Sequence, residues 1–383
     1  MRSRHASQVQ RPFLSSDRFA PTPNRNRSSI GGRIFSRKNP LQQRRLLRVL
    51  SLVLLLTCRT GLTAHAEGDY ELGHGYDIGP LNFAGYSNVI ASAPDNGRAS
   101  LVLDDLSLFV SGHIGRLINP FTEAELTHLD LVHSGRSLGD AGDFVLERLY
   151  NDSYLTDSVT LRLGKMLAPV GEWNEIHAAP LVLTTVRPAV TYRNFSEYVT
   201  GGSFLYSDPS GRFPELQFYW QPSGEFSERP QKITFHQYNS VEGAHVSFPI
   251  GLLDKVGLSF QQSKDVRGFN ESLYGFDFHY TINKLTFAGE GTFADISDNA
   301  PTPVRDTEWG AYAAVSYALA ERWSVYSWYE GFAERMEPTA QDLLFGAAYR
   351  PDPAIVIKLE YLQNIGGRQI NRTGLFASWS VLF

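Results

Sequence analysis

Cysteine is almost missing from this chain: Cys58 is the only one in 383 residues. Everything downstream of it therefore has no disulfide, no thiolate metal cluster and no cysteine nucleophile. Long apolar runs are missing too. No stretch beyond Glu67 approaches the ~18 consecutive apolar residues that a membrane-spanning helix needs. Acid is scarce at the start, where Asp17 is the one carboxylate in the first 66 residues beside 13 Lys and Arg. The remainder then has 22 basic and 39 acidic residues and a formal charge of −17. Nucleic acid is excluded as a partner, because binding a phosphate backbone requires clustered Lys and Arg.

What the first part does contain is an export pattern. The basic Arg44-Arg45-Leu46-Leu47-Arg48 precedes the short apolar Val49-Leu50-Ser51-Leu52-Val53-Leu54-Leu55-Leu56, and Ala64-His65-Ala66 follows. Charged flank, apolar core and small-residue site together read as a signal peptide cut after Ala66. This divides the chain into a removed extension, 1–66, and a mature domain, 67–383. Residues 1–43 fit a start placed too early better than an organelle transit peptide. Lipidation at Cys58 is disfavoured by the bulk of Thr57.

The mature part alternates. In Tyr274-Gly275-Phe276-Asp277-Phe278-His279-Tyr280 the four aromatics share one face, and in Ile355-Val356-Ile357-Lys358-Leu359-Glu360-Tyr361 both charges share the other. Period two means strand. Trp309, Ala311, Ala313, Val315 and Tyr317 separate in the same way from Gly310, Tyr312, Ala314 and Ser316. The spacing predicts strands near 81–90, 99–112, 122–131, 144–151, 159–168, 201–206, 215–221 and 243–248. It predicts others near 256–263, 274–280, 285–294, 309–317, 323–331, 343–350, 355–361 and 373–383. These are about sixteen segments, each near the ~10 residues of a tilted membrane strand.

Hydrocarbon offers no partner to an open sheet edge, so strands that enter a membrane must close into a barrel. The predicted fold class is therefore all-β, a transmembrane antiparallel barrel of about sixteen strands. Connections 116–120, 152–158, 207–213, 249–255, 282–284, 320–322 and 351–353 are short. Those between them, notably 171–200, 222–241 and 295–308, are mostly longer, as expected of a barrel with one rim of tight periplasmic turns and one of extended external loops. Trp220, Trp309, Trp323, Tyr329 and Tyr349 near strand ends suit the membrane interface. A soluble sandwich or propeller is the competing architecture for repeated alternating strands.

The chain ends Leu375-Phe376-Ala377-Ser378-Trp379-Ser380-Val381-Leu382-Phe383. A terminal Phe on an alternating strand resembles the signal that bacterial outer-membrane proteins present to the barrel-assembly machinery. The stretch Val159-Thr160-Leu161-Arg162-Leu163-Gly164-Lys165-Met166-Leu167-Ala168-Pro169-Val170-Gly171 resembles the strand and Gly-Lys…Pro…Gly elbow of the phosphate-selective porin family. The resemblance covers roughly residues 76–383. It implies a passive channel, often trimeric, in which the long loop after the fifth strand folds into the lumen. Loop 171–200 follows the fifth predicted strand.

That loop offers constriction candidates Glu172, Trp173, Glu175, His177, Arg187, Arg193 and Glu197. Alternation places Asp105, Arg162, Asp277, Glu290, Glu330, Lys358 and Glu360 on the lumen face, together with Glu123, Glu125 and Arg350. Acids outnumber bases there, a departure from a phosphate channel that points to cation preference or weak selectivity for small hydrophilic solutes or ions. Outer-membrane lipid is the expected surroundings, and no cofactor is expected. His113, His128, His133, His177, His236, His245 and His279 are too scattered for a metal site. The alternatives are a non-conducting barrel serving as adhesin, receptor or anchor, and a barrel hydrolase using the His245-Val246-Ser247 pair.

Overall fold

The computed structural model describes residues 70–133, 136–137, 141–228, 236–251, 254–297 and 306–383. The export segment, Cys58 and the cleavage position lie outside them. Sixteen long strands carry the fold. The first eight are β1 (Leu81–Pro94), β2 (Ser100–Gly112), β3 (Pro120–His133), β4 (Ala141–Tyr154), β5 (Val159–Leu167), β6 (Tyr198–Tyr206), β7 (Glu215–Gln221) and β8 (Tyr238–Pro249). They are followed by β9 (Lys255–Asp265), β10 (Asn270–Ile282), β11 (Leu285–Ser297), β12 (Thr307–Ala320), β13 (Trp323–Ala333), β14 (Ala340–Asp352), β15 (Ile355–Gly367) and β16 (Gly374–Leu382). They match the sixteen predicted segments one for one.

Each strand pairs antiparallel with the next, and β16 returns to β1 from Gly374↔Pro94 to Leu382↔Tyr86. Closure leaves no sheet edge, which is the condition for strands to sit in hydrocarbon. A short ribbon, Tyr70–Glu71 with Gly75–Ile78, precedes β1 and pairs with its first residues. Among the described residues no helix is long and apolar enough to cross a membrane, a statement that leaves strand-built spans untouched.

The alternating faces sort as the pattern requires. Tyr274 and Phe276 of β10 are exposed on the outer surface while Asp277, next along the strand, is buried inside. On β15 Leu359 is exposed, and Lys358 and Glu360 are both 1 % exposed. Trp220, Trp309, Trp323 and Tyr329 all lie on the exposed surface, where Trp323 stacks on Tyr349 at 4.6 Å between centroids.

The seam is locked by main chain. Gly85 N–H donates to the Phe383 carbonyl at 2.8 Å, and Phe383 N–H donates back to Gly85 at 2.9 Å. A Cβ at position 85 would come within 2.2 Å of the Ser107 carbonyl and 2.8 Å of the Phe383 ring. Backbone cannot step aside in a closed sheet, so Gly85→Val is expected to block closure, as overpacked sites destabilise by ~1–3 kcal/mol or more. The check is gel electrophoresis without boiling, in which the compact fast-migrating form of a folded barrel should be lost.

Candidate functional site: the lumen and its loop

The connection between β5 and β6, residues 168–197, does not stay outside. It enters the lumen and packs against the wall. Just beyond the end of β5, Gly171 has φ +70°, a conformation that side chains rarely adopt, where the chain turns in; Gly164, with φ +136°, lies within the β5 ladder. A Cβ on Gly171 would also stand 2.1 Å from the Glu290 carboxylate.

At its neck the loop closes on itself. Ala168 N–H donates to the Glu197 carbonyl at 2.9 Å, and Asn174 Nδ2 donates to the carbonyls of Ala168 and Glu197. Arg187 holds the interior: its Nη1 meets Glu197 Oε1 at 3.2 Å, its Nη2 meets Asn174 Oδ1 at 3.2 Å, and its Nε donates to Thr191 Oγ1 at 2.9 Å. A single 3₁₀ turn, Ala189–Thr191, lies in this stretch.

The wall grips the loop through charged side chains aimed inward. Glu290 of β11 accepts the Trp173 N–H at 2.8 Å, and Glu330 of β13 accepts the Val190 N–H at 2.8 Å. Glu360 of β15 accepts the N–H groups of Thr185 (2.6 Å) and Val186 (3.1 Å) and the Tyr326 hydroxyl (2.8 Å). Lys358 Nζ donates to the carbonyls of Ala179 (2.9 Å), Val182 (2.7 Å) and Thr184 (3.3 Å). Arg350 Nη2 reaches the Pro180 carbonyl at 2.9 Å. Hydrogen bonds to charged groups are among the stronger ones, at about 1.5–3 kcal/mol each.

Apolar contact completes the docking. Trp173, Val186, Ala189 and Val190 of the loop bury against Tyr312, Tyr326, Trp328, Phe332 and Leu344 of the wall. Trp173 meets Tyr312 edge-on at 6.0 Å. A second cluster near the neck joins Met166, Ala168, Val170 and Phe195 to Tyr219, Val241 and Leu273. Much of the lumen along β9–β16 is thus packed core rather than water.

The remaining candidates take separate places. Glu172 pairs with Lys255 at 3.2 Å and His279 at 3.5 Å. His177 Nδ1 bonds the Asn174 carbonyl at 3.0 Å, and Glu175 is half-buried. Arg193 reaches Glu334 at 2.6 Å, beside Arg368, which pairs with the same carboxylate. Asp277, 2 % exposed, faces Gly257 across β9 and β10.

On the other side of the barrel, β1–β4 present a different surface. Asp105 accepts from Thr127 at 3.3 Å, and Asn88 donates to Asp104 at 3.2 Å. Glu123 pairs with Arg148, and the Tyr198 hydroxyl donates to Glu147. Arg162 forms a two-pronged pair with Asp152 at 2.8 and 2.9 Å. Asp104, Glu147 and Arg148 escape a strict alternation because register shifts occur at Asn88/Val89 and Glu123/Ala124. A bulge sends two successive residues toward one face.

Burial alone would raise the Glu172 carboxyl, but the bonds from His279 and Lys255 outweigh it and hold it below the usual carboxylate range. At Glu175 burial outweighs the nearby charges of Lys255 and Arg162, and its carboxyl is pushed up. A carboxylate depressed in the folded state stabilises that state fully above its ordinary value of about 4.5 and loses the contribution as pH falls through its lower folded value. Acidification below about pH 4.5 is therefore expected to loosen the entering arm of the loop, read as increased current noise. Glu172→Gln should abolish that acid dependence.

Two chemical alternatives can be placed. His245 Nδ1 bonds Ser259 Oγ at 2.9 Å across β8 and β9, rather than Ser247, and the same hydroxyl lies 3.3 Å from the Pro169 carbonyl. Among the described residues no cluster of His, Cys, Asp and Glu is arranged to hold a metal ion.

No protein-family model matches the sequence, and no curated protein matches it either. Solved structures do. The chain is similar to OmpF of Salmonella typhi in complex with daunomycin, with 13 % identity, TM-score 0.58, 79 % of this chain and 97 % of that one covered. It is similar to the anion-selective porin from Comamonas acidovorans, with 15 % identity, TM-score 0.56 and coverage of 79 % and 98 %. It is also similar to the trimer form of OmpT, an outer membrane protein of Vibrio cholerae, with 12 % identity, TM-score 0.55 and coverage of 80 % and 100 %. At these identities the likeness concerns the fold, a porin-like closed barrel.

Proposed function

We propose that the protein is an outer-membrane channel through which small hydrophilic solutes and ions diffuse, with a preference for cations. The observation that carries this is the division of the lumen: one side holds a loop stapled by Glu290, Glu330, Lys358 and Glu360, while the other keeps an acid-rich wall on β2–β4. A barrel of about sixteen strands is wide enough for an aqueous path, and a loop across it sets the limiting cross-section.

The charges consumed in docking do not select ions. The β2–β4 wall adds Asp104, Asp105, Glu125 and Glu147, while its Arg148 and the neighbouring Arg162 are paired with Glu123 and Asp152. The formal charge of −17 beyond Ala66 adds to the same sign. This favours cations and departs from the phosphate selectivity that the elbow motif suggests. Non-enzymatic action fits the use of the Ser259 hydroxyl in holding Pro169. Trimerisation accords with the trimeric barrel it resembles, and Phe383 at the closing seam suits presentation to the assembly machinery.

Reversal potential in a KCl gradient tests the selectivity. A cation-selective sign is expected, and replacing Asp104, Asp105 and Glu125 together by their amides should move it toward zero without lowering the yield of folded barrel. A clearly anion-selective potential in the unmodified protein would defeat the proposal.

A further inference from the structure

At the short-turn end of the lumen, rings gather where a water-filled channel calls for polar side chains. Tyr86, Phe109, Phe121 and Tyr150 form an arc across β1–β4, with neighbouring centroids 5.8, 5.9 and 5.1 Å apart. Phe121 and Tyr150 are stacked within 16° of parallel. At the foot of the arc is a pocket of about 530 Å³, bounded by Phe121, Tyr150, Tyr154 and His113 with Asn82, Ser111, Asp77 and Asp152 among its polar groups. That volume lies within the ~300–1,000 Å³ of small-molecule sites. The His113 and Tyr154 rings, 6.1 Å apart, form a second aromatic pair at its mouth.

The charges around the pocket narrow the ligand. Arg162 lies over Tyr150 at 4.1 Å and is already bound on both prongs by Asp152, Arg148 lies over Phe121 at 4.7 Å and is paired with Glu123, and Arg116 is turned to the carbonyls of Tyr154 and Leu155 at 2.9 and 2.8 Å. An anion would find each of these cations already bound and would face Asp77. The side-chain carbonyl of Asn82, whose NH2 is taken by the His74 carbonyl and Asp77, and the hydroxyl of Ser111 supply neutral hydrogen-bonding groups beside the rings. Ring faces next to mixed donors and acceptors match a solute with an apolar face and a hydroxylated rim. We propose that this pocket is a binding subsite for a neutral sugar, one or two pyranose rings in size, at the short-turn mouth of the barrel.

The site depends on the folded barrel and not on conduction, so binding is measured directly. Titration calorimetry of maltose into the protein, folded in a detergent without a sugar headgroup, is expected to give saturable millimolar binding. The His113→Ala/Tyr154→Ala double variant should weaken it about tenfold, equivalent to ~1.4 kcal/mol. Should that variant fail to give a folded barrel, His113→Ala alone, at an exposed position, makes the same test with a smaller drop. Absence of saturable binding to the folded protein would overturn the proposal. So would unchanged affinity in the folded variant, or preferential binding of inorganic phosphate or of the diamine putrescine.

Discussion

Excising residues 170–195 and bridging the neck with a short glycine link is expected to leave a closed barrel that carries several-fold more current. The expectation rests on where the loop's contacts lie. They are side-chain and apolar contacts to the inner wall, whereas closure is carried by the strand ladder from β1 to β16 and the Gly85–Phe383 pair. The neck suits bridging because Ala168 and Glu197 are already hydrogen-bonded. Removing the loop also uncovers Glu290, Glu330 and Glu360 to water, opposed by Lys358, by Arg350, which loses the Pro180 carbonyl, and by Lys255, which loses Glu172. Conductance should therefore rise with little change in ion preference. Unchanged conductance in the folded, shortened protein would mean that the loop is not what limits the passage.

Lys358→Met is expected to free the loop without opening the barrel. The ammonium serves three loop carbonyls from one buried point, and each left unsatisfied costs about 1–3 kcal/mol. Methionine retains the apolar stem and removes only the donor. The variant should still migrate as a folded barrel on an unboiled gel, while its current flickers between levels and the loop becomes open to trypsin at Arg187 and Arg193. Steady current and intact resistance to trypsin would show that Trp173, Val186 and Val190 hold the loop by packing alone.

The sheet was legible in the sequence because alternation in a barrel is imposed twice, by surroundings outside and by the lumen inside. Asp277 between Phe276 and Phe278, or Lys358 between Ile357 and Leu359, leaves little choice of face. What an inward charge does there was not legible. Glu290, Glu330 and Glu360 look like channel lining by period two, yet each binds backbone N–H groups of a loop between 117 and 175 residues away, as in Glu290 with Trp173 and Glu360 with Thr185. No local pattern encodes such a contact. The β2–β4 wall was partly hidden for a different reason. One-residue register shifts move Asp104, Glu147 and Arg148 inward, and bulges have no dependable sequence mark. The pocket at the short-turn mouth escaped because its rings, Phe121, Tyr150 and Tyr154, come from two strands whose aromatic residues meet only on pairing.

The most direct test of the central claim is single-channel recording of the purified, folded protein in planar lipid bilayers. Discrete current steps, linear in voltage and enlarged when residues 170–195 are removed, are the predicted result. Silence from barrels that are demonstrably folded and inserted, with the loop present and equally with it removed, would contradict it.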